Sequence, residues 1–226
     1  MRGLVLPGVF RPRADSWLLA RVAREHPLPP GARVLELCAG PAFAGIAAAR
    51  GRATLTTVDV SRRAVLNARV NGRLNGVRLR ALRGDLFAAV AGERFDLVLA
   101  NPPYVPGPPP PARGPARAWD AGADGRALLD RICERVAHFL RPGGTVLLVH
   151  SELVGRDTTL NAFSDSGLAA DVAACQHGPL GPLVRERRSE LEARGVLRPG
   201  QESEDVYVLR GRAPVRRPTR WLSPTP

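Results

Sequence analysis

Short runs of β-branched and aliphatic residues alternate with longer stretches of helical period through the first 210 residues, and few folds accommodate that rhythm. Residues 33–37, 54–58, 77–82, 95–100 and 145–150 read as strands, and 16–25, 42–49, 62–75 and 127–139 as helices. Two further strands are expected at 168–175 and 206–209, around a polar insertion rich in Arg and Glu. Strands joined through helices pair in parallel, with right-handed crossovers. The expected fold is therefore α/β: a mostly parallel, doubly wound sheet with helices on both faces. Asp15 is the expected N-cap of the first helix, with Trp17, Leu18 and Val22 on one face. Pro27 and Gly31 bracket the cluster that ends it.

Composition narrows the class. At 44% hydrophobic and 24% charged, the 226-residue chain is too apolar for disorder. No apolar run approaches the roughly 18 residues of a membrane span. The first ten residues carry one Arg and no long apolar segment, which argues against a signal peptide. Three cysteines, Cys38, Cys133 and Cys175, are odd in number and share no ligand spacing. A disulfide framework and a structural zinc site are disfavoured, no metal is expected, and a reducing cytoplasm fits. Cys133 and Cys175 read as core. All 33 basic residues are Arg, against 21 acidic ones, giving +12. With abundant Ala, Gly and Pro, this pattern fits GC-rich codon pressure. A solvated Arg surface is the simple reading, and an acidic partner or nucleic acid the other. The run 185–194 reads as a solvated helix or a grip on a partner protein.

Carboxylates recur where strands end. The first strand runs through Glu36 into a small-residue turn, Cys38-Ala39-Gly40-Pro41-Ala42. This is not a dinucleotide fingerprint, and with no Lys anywhere a P-loop is excluded. Asp59, followed by Val60, ends the second strand, where a carboxylate can accept from both hydroxyls of a ribose. Asp85 follows the third, with Leu86 able to pack on an adenine face. Together these acids read as the ligand-reading edge of a doubly wound sheet.

The fourth strand runs into Asn101-Pro102-Pro103-Tyr104. The prolines stiffen the backbone. The Asn101 side chain and the Pro102 carbonyl can then hold both hydrogens of a planar –NH2 group, with the Tyr104 ring stacked on it. Residues 102–115 hold eight prolines and must form a stiff, irregular loop. His138 and His150 read as packed or capping residues. No His lies beside Asn101.

On these residues the chain resembles the Rossmann-like S-adenosylmethionine-dependent N-methyltransferases. It resembles most the HemK-type glutamine methyltransferases, which modify the Gly-Gly-Gln glutamine of peptide-chain release factors. The resemblance covers about residues 9–210. It implies a seven-stranded methyltransferase sheet with an antiparallel C-terminal strand, and S-adenosylmethionine as cofactor. Asn101, Pro102 and Tyr104 would act in catalysis, and Pro103 and Trp119 would join them in holding the acceptor. Asp15 and Ser16, in a segment similar to the family's short-form N-terminus, would bind cofactor. So would Glu36, Cys38, Gly40, Asp59, Val60, Asp85, Leu86 and Asn101. The stretch from Trp119 through Gly122 and Gly125 to Arg126 resembles the segment that follows the acceptor loop in that branch. Cys38 and Ala42 stand where the family usually has glycine, and Ala14 where an acid is common. With only about 30 residues before the first strand, the short single-domain branch is expected to be the closer match. The domain is expected over 1–210, with 211–226 a flexible Arg/Pro-rich tail. Short eukaryotic relatives pair with a small zinc-binding partner. Methylation of an exocyclic base amine in RNA or DNA, or of a small molecule or peptide, stays open beside the protein substrate.

Overall fold

The computed structural model describes residues 2–51, 53–111 and 114–215. The helices are α1 (Ala14–Glu25), α2 (Phe43–Ala49), α3 (Arg62–Leu74), α4 (Ala127–Val136), α5 (Arg156–Asp165), α6 (Pro182–Glu186) and α7 (Arg188–Ala193). The strands are β1 (Arg33–Leu37), β2 (Thr54–Asp59), β3 (Leu79–Arg83), β4 (Phe95–Ala100), β5 (Leu140–Ser151), β6 (Ala169–Pro179) and β7 (Ser203–Arg212). They form one sheet in the order β3-β2-β1-β4-β5-β7-β6. β1 to β5 pair in parallel. β7 runs antiparallel to both β5 and β6.

Both faces of the central strands are covered, so their side chains alternate between two apolar layers. Val98, Val146, Leu148 and Leu209 join the layer under α4, with Phe95 and Phe163. Leu97, Leu99, Leu147 and Val208 point the other way, toward Leu18, Leu19 and Ile46. Truncating one such leucine to alanine costs about 2–5 kcal/mol. α4 seats itself through Leu129, Ile132, Cys133 and Val136, the i, i+3, i+4, i+7 stripe of an amphipathic helix.

Several expectations need correction. α1 begins at Ala14, not after Asp15; Asp15 is buried in its first turn and Arg13 is the N-cap. Trp17 is 49% exposed and stacks on Phe43, while Leu18, Leu19 and Ala23 carry the core face. β3 starts at Leu79, two residues later than expected, and β5, β6 and β7 are longer than read. α5 escaped notice because only Thr159 and Phe163 are buried on it, too narrow a stripe to read. Cys175 lies exposed on edge strand β6 rather than in the core. The 185–194 run is solvent-facing for the most part, as expected, but it is not one helix and Leu191 is buried. It forms α6 and α7, whose Val184 and Leu191 pack with Val105, Leu180 and Leu197. β7 continues through Arg212, because Arg210 and Arg212 both pair with Asp171 of β6. Residues 216–226, most of the expected tail, lie outside the described residues.

The N-terminus is bound in an unforeseen way. Residues 2–6 run antiparallel to α3 along a ladder of asparagines. Arg2, Leu4 and Leu6 donate their N–H groups to Oδ1 of Asn75, Asn71 and Asn67 at 3.0, 3.0 and 2.8 Å. The Asn75 amide returns a bond to the Arg2 carbonyl, and Asn67 and Asn71 both return bonds to that of Leu4. The pitch matches: four helical residues rise about 6 Å and two extended residues about 6.6 Å.

Candidate active site

The chain turns back at the join between β1 and β4, where β1 lies between β2 and β4. Crossovers leave that point in opposite directions and open a crevice at the carboxyl ends of the strands. Leu37 is level with Ala100, so the turn after β1 and the loop after β4 start side by side. A cavity of about 510 Å³ occupies the crevice, within the roughly 300–1,000 Å³ of small-molecule sites.

The turn after β1 is held by carboxylates. Asp59 Oδ2 accepts the Gly40 N–H at 2.9 Å and Oδ1 that of Ser61 at 2.8 Å, tying the loops after β1 and β2 together. Burial raises the Asp59 pKa, and these N–H partners oppose the rise. The carboxylate keeps lone pairs for further donors. Ala42, the N-cap of α2, has no side-chain acceptor. The buried carboxylate of Glu36 serves instead, accepting the Gly45 N–H at 2.9 Å. A Cβ at Gly45 would stand 2.6 Å from Glu36 Oε2, so only glycine allows that reach. Burial pushes the Glu36 carboxyl up to about 8.

Among the described residues three non-glycines have positive φ: Cys38 (51°), Ala42 (63°) and Leu86 (46°). Two of them line the cavity and Ala42 adjoins it. Each such conformation costs of order 1–3 kcal/mol, which explains why glycine is the ordinary choice at the first two. Gly40 (φ 50°) has open space where a Cβ would stand. The Cys38 thiol is pushed up by burial, first, and by Asp59 and Asp85. It packs and does not attack. Asp85 is exposed and paired with Arg131 at 2.7 Å, a contact worth at most about 1 kcal/mol. Leu86 is buried beside it, and Val60 follows Asp59 along the same wall.

Asn101 through Tyr104 line the cavity beyond β4, as does Trp119. The N-terminus of α1 faces them. Asn101 Nδ2 donates to Asp15 Oδ2 at 3.2 Å and to Ser16 Oγ at 3.0 Å. The Tyr104 hydroxyl donates to the same Asp15 oxygen at 2.9 Å. Burial, then the Asp15 charge, holds the Tyr104 pKa well above its ordinary value. The proline-rich loop is not free. Val105 N–H donates to the Trp119 carbonyl (3.0 Å) and Gly107 N–H to that of Gly122 (2.9 Å). Arg187 of the 182–193 cap pairs with Asp120 and donates to the Pro106 carbonyl at 3.2 Å. At Gly125 (φ 74°) a Cβ would lie 2.5 Å from the Tyr104 carbonyl oxygen.

All fourteen residues singled out in the sequence line this one cavity. Sequence reading missed Glu204 of β7, which lines it too, bonded by the Ser151 hydroxyl and by the Gly181 N–H at 2.8 Å. Burial raises its pKa. Nothing local marks it, since it stands about a hundred residues beyond Asn101. The N-terminal strap, residues 2–10, was foreseen only in part: Val9 and Phe10 open the segment likened to the family's N-terminus, whereas Gly8, which lines the same side of the cavity, and the asparagine ladder were not read. Asn71 links strap and turn by donating to the Leu4 carbonyl (3.0 Å) and to that of Pro41 (2.9 Å). Three asparagines spaced i, i+4, i+8 were its available signal. His150 is packed as expected, bonded to the Ser151 carbonyl and the Thr159 hydroxyl, and burial lowers it to about 4. No group of His, Cys, Asp and Glu able to hold a metal occurs among the described residues, nor any helix long and apolar enough to cross a membrane.

Residues 5–113 match a family model described as the methyltransferase small domain. A Methanocaldococcus jannaschii chain provisionally named a protein N5-glutamine methyltransferase is 33% identical over 79% of this chain and 90% of its own length. Release factor glutamine methyltransferases of Geobacter sulfurreducens and Mycolicibacterium smegmatis are 31% and 33% identical over 73% and 74% of this chain. The chain spans only 60% and 63% of their lengths. Among solved structures, the E. cuniculi Mtq2 in complex with Trm112, titled as methylating the termination factor eRF1, superimposes with a TM-score of 0.61 at 21% identity, covering 91% of this chain and 99% of that one.

Proposed function

This chain belongs to the glutamine N-methyltransferases of the HemK type and is an S-adenosylmethionine-dependent enzyme, and from that premise we propose that it methylates the side-chain amide of a protein glutamine, as on a release factor. One observation carries the reading. The Asn101–Tyr104 segment begins level with the turn after β1, so an amide grip and a nucleoside-reading edge share one cavity.

The cavity's own features fit the cofactor. The open space at Gly40 lets a ligand approach backbone that a Cβ would cover. Asp59 stands at the strand end suited to two ribose hydroxyls, Leu86 offers an apolar face to a base, and Glu36 a carboxyl to an ammonium. Asp85, paired with Arg131, would accept from the base edge. When bound, S-adenosylmethionine supplies an electrophilic methyl on a sulfonium.

The chain's residues then act on the amide. Its nitrogen is a poor nucleophile, because the lone pair is delocalised. Asn101 Oδ1 and the Pro102 carbonyl each accept one N–H, which fixes the –NH2 plane and aims the lone pair. Pro103 holds the backbone, and Tyr104 and Trp119 wall the acceptor channel. Positioning is the main catalytic effect. Asp15 and Glu204 line this end together with Arg13 and Arg117, a mixed charge that calls for no phosphate, and the reading keeps a protein acceptor. Such a substrate places the enzyme in the cytoplasm.

The test incubates the purified chain with tritiated S-adenosylmethionine and a recombinant release factor, without any second subunit and then with a cell lysate. Label on the Gly-Gly-Gln glutamine supports the reading. Label removed by nuclease and not by protease overturns it.

A further inference from the structure

An asparagine side chain has two ends of nearly equal shape, and a neighbour must decide which faces where. At Asn101 the neighbours decide completely. Asp15 Oδ1 receives the Ser16 N–H at 2.6 Å and the Ser16 hydroxyl at 3.1 Å. Its Oδ2 receives Asn101 Nδ2 and the Tyr104 hydroxyl at 3.2 and 2.9 Å. Four donors converge on one buried carboxylate, 8% exposed, which therefore only accepts. The Ser16 hydroxyl is equally committed. It gives its proton to Asp15 and accepts from Arg13 N–H at 3.3 Å and Asn101 Nδ2 at 3.0 Å. Both hydrogens of the Asn101 amide are thereby consumed, one by each residue.

We infer that Asp15 and Ser16 are positioning residues for methyl transfer, which lock the Asn101 amide with Oδ1 away from α1 and, through Asp15, anchor the Tyr104 ring at its hydroxyl. This rests on the amide-methylation reading above and gives these two residues a role besides the cofactor contact implied by the resemblance. If Asn101 were to turn over, it would present hydrogens to an –NH2 group that has hydrogens of its own, and the grip would become a repulsion.

The test is a swap. In N101D two acceptors face each other across the contact with Asp15. In D15N the new amide can face either way and orientation is relaxed. In the double variant D15N/N101D, the amide introduced on α1 donates to one oxygen of the carboxylate introduced after β4, and the other oxygen stays toward the acceptor. Each single variant is expected to lose about 30-fold or more in kcat, with KM for S-adenosylmethionine within about threefold of wild type. The double variant recovers at least about tenfold over N101D, a coupling that only direct neighbours show. S16A loses a smaller factor, and S16T, which keeps the hydroxyl, restores it. A readout without turnover accompanies these: the two Nδ2 protons of Asn101, followed by NMR, exchange slowly in wild type and faster in D15A and S16A. Multiplicative losses in the double variant, a cofactor affinity that falls with D15N while kcat holds, or unchanged amide exchange would each overturn the inference. If wild type leaves release-factor glutamine unlabelled, the substrate reading fails, and the amide exchange and calorimetric affinity for S-adenosylhomocysteine still decide this one.

Discussion

Asp15 and Asn101 lie 86 residues apart in the chain, and their side chains meet at 3.2 Å. The contact joins the first turn of α1 to the end of β4. An element outside the sheet therefore holds the side chain proposed to grip the acceptor.

Asp59 fastens the loops after β1 and β2, and the proposed function gives it a second load, accepting from a ribose. Asp59→Ala should weaken S-adenosylmethionine binding by about 30-fold or more, the loss of one or two charge-assisted hydrogen bonds. Asp59→Asn, which keeps one acceptor oxygen, should fall between. Calorimetry reads both. Wild-type affinity in Asp59→Ala would remove the ribose assignment.

Glu36 gives a pH dependence of definite sign. Its folded pKa is about 8, against 4.5 for the free group, and burial is the main cause. Below 4.5 the carboxyl is protonated folded or unfolded and costs nothing. As pH rises toward 8, the unfolded chain ionises and the folded one resists, so stability falls by up to about 1.4 kcal/mol per pH unit. Urea unfolding at pH 6 and pH 8 should show that loss in wild type and its absence in Glu36→Gln. An ammonium bound beside Glu36 favours the ionised form, so cofactor affinity should climb with pH up to about 8 and stay flatter in Glu36→Gln.

The strap should control cofactor release. Asn71 is fully buried and bonds Leu4 at both N–H and carbonyl, and Pro41 besides. Asn71→Ala should cost about 2–4 kcal/mol, since buried groups lose their partners. It should also speed dissociation of S-adenosylmethionine several-fold. Hydrogen exchange at the Leu4 amide and stopped-flow dissociation check the two effects. An unchanged dissociation rate alongside a frayed strap would separate strap from cavity.

Gly125→Ala places a methyl against the Tyr104 carbonyl at φ 74°. Turnover should drop by about tenfold or more through displacement of Tyr104, while cofactor affinity changes little. Affinity falling in step with turnover would point to a general loss of structure instead.

Much of this was legible because period and chemistry agree. β1 and β4 were readable to the residue, since each is a short aliphatic run buried on both faces, interrupted only by Glu36 in one and Asp96 in the other. Glu36, Asp59 and Asn101 were readable because each ends or nearly ends a strand. What was hidden depends on distant partners. Asp15 looks like a helix cap until Asn101 and Tyr104 arrive beside it. Glu204 sits in a β-strand with no motif. Arg187 and Leu191 look like part of a charged surface run, yet Arg187 is pinned to Asp120 and Leu191 is buried against Val105, Leu180 and Leu197. The strain at Cys38 and Ala42 could only be guessed from the glycines the family prefers there.

The most direct measurement is single-turnover methylation of a release-factor Gly-Gly-Gln domain by Asn101→Ala, with S-adenosylmethionine affinity measured on the same protein. The grip predicts a rate reduced about a thousandfold or more, with affinity within about threefold. A rate within tenfold of wild type would contradict it.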